Sequence, residues 1–139
     1  EEFNRAKEEH LEGIIKILPW IATVDKFQHW IYETPAHTNE QRTTKWNEIL
    51  KEFQDDVIDY SGLENYRSNA WQRQLHLFEV PFYYIEYGIA QLGAIGMWMQ
   101  YKQNPQQALD NYCNALALGG TKTLPLLFDA AGLQFDFSP

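Results

Sequence analysis

The segment HLFEVPFYYIEY, residues 76–87, holds the residue types best suited to chemistry. Tyr83 and Tyr87 are four residues apart and Tyr84 and Tyr87 three, so on a helix their phenols can point to one region of space. His76 lies just upstream. Phenol and imidazole donate hydrogen bonds that can steady a developing oxyanion, and donors fixed on a buried helix need little reorganisation. These four residues are therefore candidate catalytic residues. Composition alone favours core aromatics with bonded hydroxyls.

The element that must position the tyrosines is a helix predicted from Pro81 to about Tyr101. Pro81 suits the first turn of a helix, and the following residues are apolar nearly all round, which is typical of a helix buried in the middle of a bundle. The stretch 80–99 is nearly long enough to span a bilayer, but it contains Glu86 and Gln91. We therefore expect a core helix and no membrane.

Glu86 is an unusual residue on such an apolar helix. Burying a carboxylate is costly unless it has a partner. We therefore expect Arg67 or Arg73 to lie beside it.

The spacing of apolar residues predicts further helices before this element. One extends over 3–18 and is stopped or kinked by Pro19, and a second follows it. Thr38 and Gln41 form a possible capping box for a third helix, which Gly62 would end as a left-handed cap.

Two more helices are predicted towards the C-terminus. Asn104-Pro105 opens one that Gly119-Gly120 ends, and 125–131 suggests a short last helix closed by Gly132. The sequence contains no run of alternating β-branched residues. The expected fold class is therefore all-α, a multi-helix bundle that forms a single helical domain over 1–139.

Other motifs offer little chemistry. The four histidines lack the HExxH and Glu-x-x-His spacings, so we expect no self-contained metal site, and we place His10 and His37 on the surface. The run GGTKT, residues 119–123, lacks a Gly directly before the Lys and is better explained as a helix end than as a phosphate loop. Cys113 lies on the apolar stripe of its helix and is expected to be a small core residue.

Length and composition restrict the class of protein. The chain has 139 residues, 45% of them hydrophobic and 15% aromatic, which is enough to fill one domain core. Its 19 acidic and 11 basic residues give a net charge of −8, so nucleic-acid binding is not expected. A single cysteine excludes an intramolecular disulfide, and the charged N-terminal residues do not form a signal peptide. We expect a cytoplasmic location.

Three stretches carry a resemblance to a known family: WIATVDKFQHWIY at 20–32, HTNEQRTTKW at 37–46 and QLHLFEVPFYYIEYGIAQLGA at 74–94. They closely resemble the C-terminal part of the oligoendopeptidase F family, zinc metallopeptidases related to thimet oligopeptidase. The likeness extends over essentially the whole chain. It implies the C-terminal portion of that family's helical catalytic domain.

The resemblance also implies roles for the candidate residues. By motif, His76 matches the family's substrate-contacting histidine, and Tyr83 and Tyr87 match the tyrosines of its PFY-x-x-x-Y pattern. The match to the thimet branch can be drawn with either Tyr83 or Tyr84. The family's zinc is held by an HExxH helix and a further Glu, and this sequence contains neither, so the zinc ligands are expected upstream of Glu1.

Two other functions compete with this interpretation. The peptidase interpretation implies an oligopeptide substrate and a requirement for the N-terminal remainder of the polypeptide. Alone, the chain would then be inactive, expose an apolar patch and tend to self-associate. An autonomous helical interaction or dimerisation module would instead bury the 80–99 helix against a partner or a second copy. A four-helix metal bundle needs inward carboxylates and histidines on several helices, and only Glu86 qualifies.

Overall fold

The fold of the chain is given by a computed structural model that describes residues 2–54 and 57–136. Over these residues the elements are α1 Glu2–Glu33, α2 Asn39–Phe53, α3 Glu64–Ser68, a 3₁₀ helix Ala70–Arg73, α4 His76–Glu79, α5 Ile85–Gln103, α6 Pro105–Ala117 and α7 Leu124–Ala130. The predicted all-α class is confirmed, with no strand in the described part. Within those same residues, no helix has the length and apolar character needed to cross a membrane. The chain divides into two compact units, Glu1–Gly88 and Ile89–Pro139.

The first unit is built on the packing of α2 against the second half of α1. A short connection, 34–38, returns the chain so that the two helices are neighbours. Trp46 of α2 meets Phe27 edge to face at 5.1 Å between ring centroids, and it meets Trp20 in the same way at 5.6 Å. Their buried cluster consists of Ile21, Val24, Phe27, Trp46, Ile49, Leu50, Trp71 and Tyr84.

Helix α1 continues through Pro19, so the prediction of two separate helices is wrong. A proline inside a helix removes one backbone hydrogen bond, but the residues that follow it, Ile21 and Val24, are buried in the core and stabilise the helix there. The expected apolar stripe of the first half is not covered, since Phe3 is 71% and Ile15 70% exposed.

The capping box at the start of α2 is confirmed. The Gln41 backbone N–H donates to Thr38 Oγ1 at 3.2 Å, and the Thr38 N–H donates back to Gln41 Oε1 at 2.8 Å. The helix ends at Phe53 rather than near Gly62 because Gln54 is already extended. Gly62 does adopt a positive φ of 79°, but in a separate turn between Tyr60 and Leu63.

Replacing Thr38 by alanine tests this cap. Thr38→Ala should lower the free energy of unfolding by about 1 kcal/mol, because the Gln41 backbone N–H at the start of α2 loses the Thr38 hydroxyl that accepts its hydrogen bond. Thr44→Ala is the matched control, since Thr44 is exposed inside the same helix and alanine is the better helix former. Urea unfolding followed by circular dichroism measures both, and equal midpoints for the two variants would contradict the assignment.

Helix α5 differs from its prediction at its start and in its burial. It begins at Ile85, and of its residues only Gly88 is buried, where an added Cβ would lie 3.3 Å from Ile21 Cγ2. Leu92 is 45% and Trp98 53% exposed. The prediction that this helix is buried on all sides is therefore wrong for the described chain. Such burial needs neighbours on every side of the helix, and the described residues do not cover most of α5.

Glu86 is exposed, so the expected burial of its carboxylate is wrong. Because the carboxylate remains in water, it needs no compensating cation. The ion pairs among the described residues do not include Arg67 or Arg73. The Arg67 guanidinium instead lies over the Tyr60 ring, 4.8 Å from its centroid.

The second unit joins the end of α5 to α6 and α7. As predicted, Asn104 caps α6, accepting from the Gln107 N–H at 3.3 Å. Gln100 Nε2 donates to the Gly132 carbonyl at 2.7 Å, and Gly132, which was predicted to close the last helix, has a positive φ of 68°. Cys113 is exposed, so its prediction as a core residue is wrong: on α6 only Ala108 is buried, and Leu109, Tyr112 and Leu116 of the same stripe are exposed as well.

Candidate functional site

A tight turn precedes the three tyrosines. The Tyr83 N–H donates to the Val80 carbonyl at 3.2 Å across Pro81 and Phe82. Phe82 has a φ of 60°, and a proline followed by a residue of positive φ is the pattern of a type II turn. Pro81 therefore belongs to this turn and not to the first turn of α5, which corrects the predicted helix start.

Phe82 is held in this conformation by α1. A bulky residue with positive φ costs about 1–3 kcal/mol, which the surroundings must offset. The fully buried Gln28 accepts a hydrogen bond from the Phe82 N–H through Oε1 at 2.9 Å. The Phe82 ring packs between His29 and Tyr32, each with its ring centroid 4.9 Å away. The strained turn is thus fixed from both its backbone and its side chain.

Three short pieces of chain place the candidate side chains. His76 is the first residue of the one-turn helix α4, Tyr83 and Tyr84 lie between the turn and α5, and Tyr87 is in the first turn of α5. The Glu86 N–H donates to the Tyr83 carbonyl at 3.0 Å, so the chain already turns before α5 begins. Of the three tyrosines only Tyr87 lies in the helix, whereas the prediction placed all three on it. The turn before α5 nevertheless brings Tyr83 and Tyr84 close to Tyr87.

The structure brings all four candidate residues together. The His76 ring lies 5.0 Å from Tyr84, 5.5 Å from Tyr87 and 6.1 Å from Tyr83, measured between centroids. Tyr87 lies 5.6 Å from Tyr83 and 5.3 Å from Tyr84. One imidazole and three phenols therefore form a single cluster, which we call the His-Tyr cluster.

Exposure divides the three phenols. Tyr83 and Tyr87 are 47% and 44% exposed, whereas Tyr84 is 8% exposed. Burial raises the pKa of the Tyr84 phenol and Tyr87 adds to this, with the polar groups of Trp20 and Gln74 acting in the opposite direction. Tyr84 is therefore a protonated donor at neutral pH, and Tyr83 and Tyr87 are the phenols that a ligand can reach.

A line of hydrogen bonds connects the cluster to α1. Trp20 Nε1 donates to Gln74 Oε1 at 3.2 Å, Gln74 Nε2 lies 3.2 Å from His76 Nδ1, and His76 Nε2 lies 3.1 Å from Tyr87 Oη. No role was predicted from the sequence for Trp20, Gln74 or the turn-holding Gln28. Gln74 is two residues from His76, but Trp20 is 54 residues from Gln74, and no local pattern links them.

An open cleft of about 420 Å³ adjoins the cluster. Tyr84, a member of the His-Tyr cluster, lines this cleft. Trp20, which donates to Gln74 behind the cluster, lines it as well. Two basic residues, Lys16 and Arg73, also line it, and Lys16 pairs with Glu12 at 2.9 Å. The remaining lining residues are Gly13, Ile17 and Gln54.

The described residues do not offer a metal site. They contain no group of three or more His, Cys, Asp or Glu side chains arranged to hold an ion. His10 is exposed as expected, but His37 is half-buried and accepts from Arg42 Nε at 2.9 Å, which corrects its surface assignment. The chemistry available in these residues is hydrogen-bond donation from imidazole and phenol.

The described chain is all-α, and its His-Tyr cluster gathers one imidazole and three phenols, side chains that can donate hydrogen bonds. Comparison with known families identifies the class further, because the profile of peptidase family M3 matches residues 1–138. The chain belongs to peptidase family M3, which confirms the resemblance stated from the sequence.

Two solved structures are similar to this chain. An X-ray structure described as an oligoendopeptidase F is 34% identical with a TM-score of 0.79, and the match covers 94% of this chain and 23% of that one. PZ peptidase A with an inhibitor is 36% identical with a TM-score of 0.75, over 90% of this chain and 22% of the other. The chain therefore spans less than a quarter of the length of either structure. No curated protein sequence matches it.

Proposed function

We propose that this chain supplies the substrate-binding and oxyanion-stabilising wall of the cleft in a zinc-dependent oligoendopeptidase that hydrolyses peptide bonds in short peptides. The observation that carries the proposal is the convergence of two half-exposed phenols, Tyr83 and Tyr87, on His76. Membership of a peptidase family supports it.

The roles follow from the chemistry of each group. When a peptide carbonyl is attacked, its oxygen gains negative charge, and donors aimed at that oxygen lower the barrier. Tyr83 and Tyr87 would donate to it, and His76 would contact the substrate. Tyr84 lines the adjoining cleft as a third, buried phenol. These groups act through hydrogen bonds that strengthen in the transition state, so they raise turnover more than affinity.

The zinc implied by the family finds no site among the described residues. We propose that its ligands lie in the N-terminal remainder of the polypeptide, that the whole protein is cytoplasmic, and that this chain is its C-terminal portion and inactive alone. The short coverage of the two similar structures supports a longer whole.

A second candidate function is a helical interaction or dimerisation module. The exposed apolar side chains of α5, which include Leu92, Trp98 and Met99, support it. In the peptidase proposal the same side chains would contact the N-terminal remainder of the polypeptide, and they would make the isolated chain self-associate.

Mixing experiments separate the two functions. A quenched fluorescent oligopeptide is incubated with zinc and this chain, with the separately expressed upstream portion, and with both together. If neither part alone cleaves the peptide and the mixture does, the peptidase proposal is supported. Cleavage by the chain alone would overturn the placement of the zinc ligands. A stable dimer of the chain that gives no activity on mixing would favour the interaction module.

A further inference from the structure

The hydrogen-bond line from α1 to α5 has a direction that its chemistry fixes. An indole N–H can only donate, so the Gln74 atom that faces Trp20 at 3.2 Å must be the amide oxygen. The amide nitrogen then faces His76 Nδ1 at 3.2 Å. An amide NH₂ also only donates, so Nδ1 must accept and carry a lone pair.

This acceptor at Nδ1 decides where the neutral imidazole holds its proton. One ring nitrogen of a neutral histidine is a donor and the other an acceptor, so the proton of His76 is on Nε2. The Nε2–H then donates to Tyr87 Oη at 3.1 Å. Tyr87 accepts this bond with a lone pair, and its own hydroxyl proton stays free to be donated elsewhere.

The opposite tautomer of His76 would reverse the direction of its hydrogen bonds to Gln74 and Tyr87. With the proton on Nδ1, His76 Nε2 would accept, and the Tyr87 hydroxyl would donate to it instead of to a ligand. Gln74 would then have to present its oxygen to His76 and its NH₂ to Trp20. Two donors would meet at the indole N–H, and that arrangement loses a hydrogen bond in a partly buried place.

We propose that Trp20 and Gln74 are positioning residues that hold His76 as its Nε2–H tautomer and so keep the hydroxyl proton of Tyr87 available to the substrate. Only the last step, donation to the substrate, rests on the proposed function. The tautomer itself is a property of the chain and is measurable without activity. Trp20 is set in place by its edge-to-face contact with the fully buried Trp46, so the core of the first unit fixes the start of the line.

Nitrogen NMR of the 139-residue chain labelled at histidine tests the tautomer directly. Long-range proton–nitrogen correlations show which ring nitrogen carries the proton, and the signals lost in His76→Asn identify His76 among the four histidines. We expect the Nε2–H pattern in the parent. In Gln74→Glu a carboxylate replaces the NH₂, so Nδ1 should become protonated. In Trp20→Phe the amide is free to turn over, so both tautomers should appear.

Gln72→Glu is the matched control because it adds the same charge at an exposed glutamine two residues earlier, and its His76 pattern should not change. An Nδ1–H pattern in the parent, or a pattern that Gln74→Glu leaves unaltered, would overturn the inference. The signals of the other three histidines serve as a folding check for Gln74→Glu and Trp20→Phe. If these signals keep the chemical shifts of the parent, the variant is folded and its His76 pattern can be interpreted.

Activity of the intact enzyme then separates this inference from the proposed function. Gln74→Glu should lower kcat, by up to the about 10²–10³-fold expected for loss of one donor, with little change in KM. Added to Tyr87→Phe it should have almost no further effect, since both act on one hydroxyl. A switched tautomer with unchanged kcat would contradict the proposed role of Tyr87 while leaving the positioning of His76 intact.

Discussion

In the proposed intact peptidase, the Tyr87→Phe variant should turn over an oligopeptide about 10²–10³ times more slowly than the parent, the usual loss when one oxyanion donor is removed. The hydroxyl is the only group lost. The ring contacts to His76 at 5.5 Å and to Tyr84 at 5.3 Å remain available to phenylalanine, so the fold should not change. Because the bond forms mainly in the transition state, kcat should fall and KM stay nearly constant.

Two further variants extend this test. Tyr83→Phe should reduce turnover similarly, and His76→Ala should also raise KM because in the proposed function the His76 ring contacts the substrate. Tyr101→Phe is the matched control, since Tyr101 is a similarly exposed tyrosine, 48% against 44%, further along α5. Near-normal turnover in both Tyr83→Phe and Tyr87→Phe would remove the assignment of the phenols as donors.

Much of the first unit could be predicted from local sequence signals. The capping box of Thr38 with Gln41 specifies the start of α2, because it acts within a few residues. The path through Pro19 could not be predicted in the same way. Whether a proline ends a helix depends on what the following residues bury against, and here that is α2, which lies later in the chain.

The predicted burial of α5 and of Cys113 was wrong for a related reason. An all-round apolar pattern indicates that a helix needs neighbours but does not say where they are. In the described chain, α5 is buried only at Gly88, and the stripe of α6 leaves Cys113 exposed. Both patterns would be satisfied by a larger partner, and the proposed N-terminal remainder of the polypeptide is of that kind.

The candidate site shows what spacing can and cannot specify. Placing Tyr83, Tyr84 and Tyr87 within five residues was enough to predict that their rings converge, although a turn brings two of them there and not a helix. The supports of the cluster, Gln28 and Trp20, could not be identified. Each acts on a residue 54 positions away, so only the packing of α1 reveals them.

Replacing Trp46 by alanine should cause the largest loss of stability in the chain. Trp46 is 0% exposed, and truncating a buried tryptophan costs about 3–5 kcal/mol. Its Nε1–H also donates to the Arg67 carbonyl at 3.0 Å, and the loss of that hydrogen bond adds to the cost. Since a domain of this size is stable by only about 5–15 kcal/mol, the urea midpoint should fall severely.

Two matched variants divide this loss into its parts. Trp98→Ala removes the same side chain from a 53% exposed position, where the change should stay below about 1 kcal/mol, including the contact with the Lys102 ammonium. Trp46→Phe keeps an aromatic ring against Phe27 but loses the hydrogen bond and part of the volume, so it should fall between the two. If Trp46→Ala were as mild as Trp98→Ala, the packing of α2 on α1 would not be what stabilises the first unit. The position of Trp20, from which the line to His76 begins, would then need another explanation.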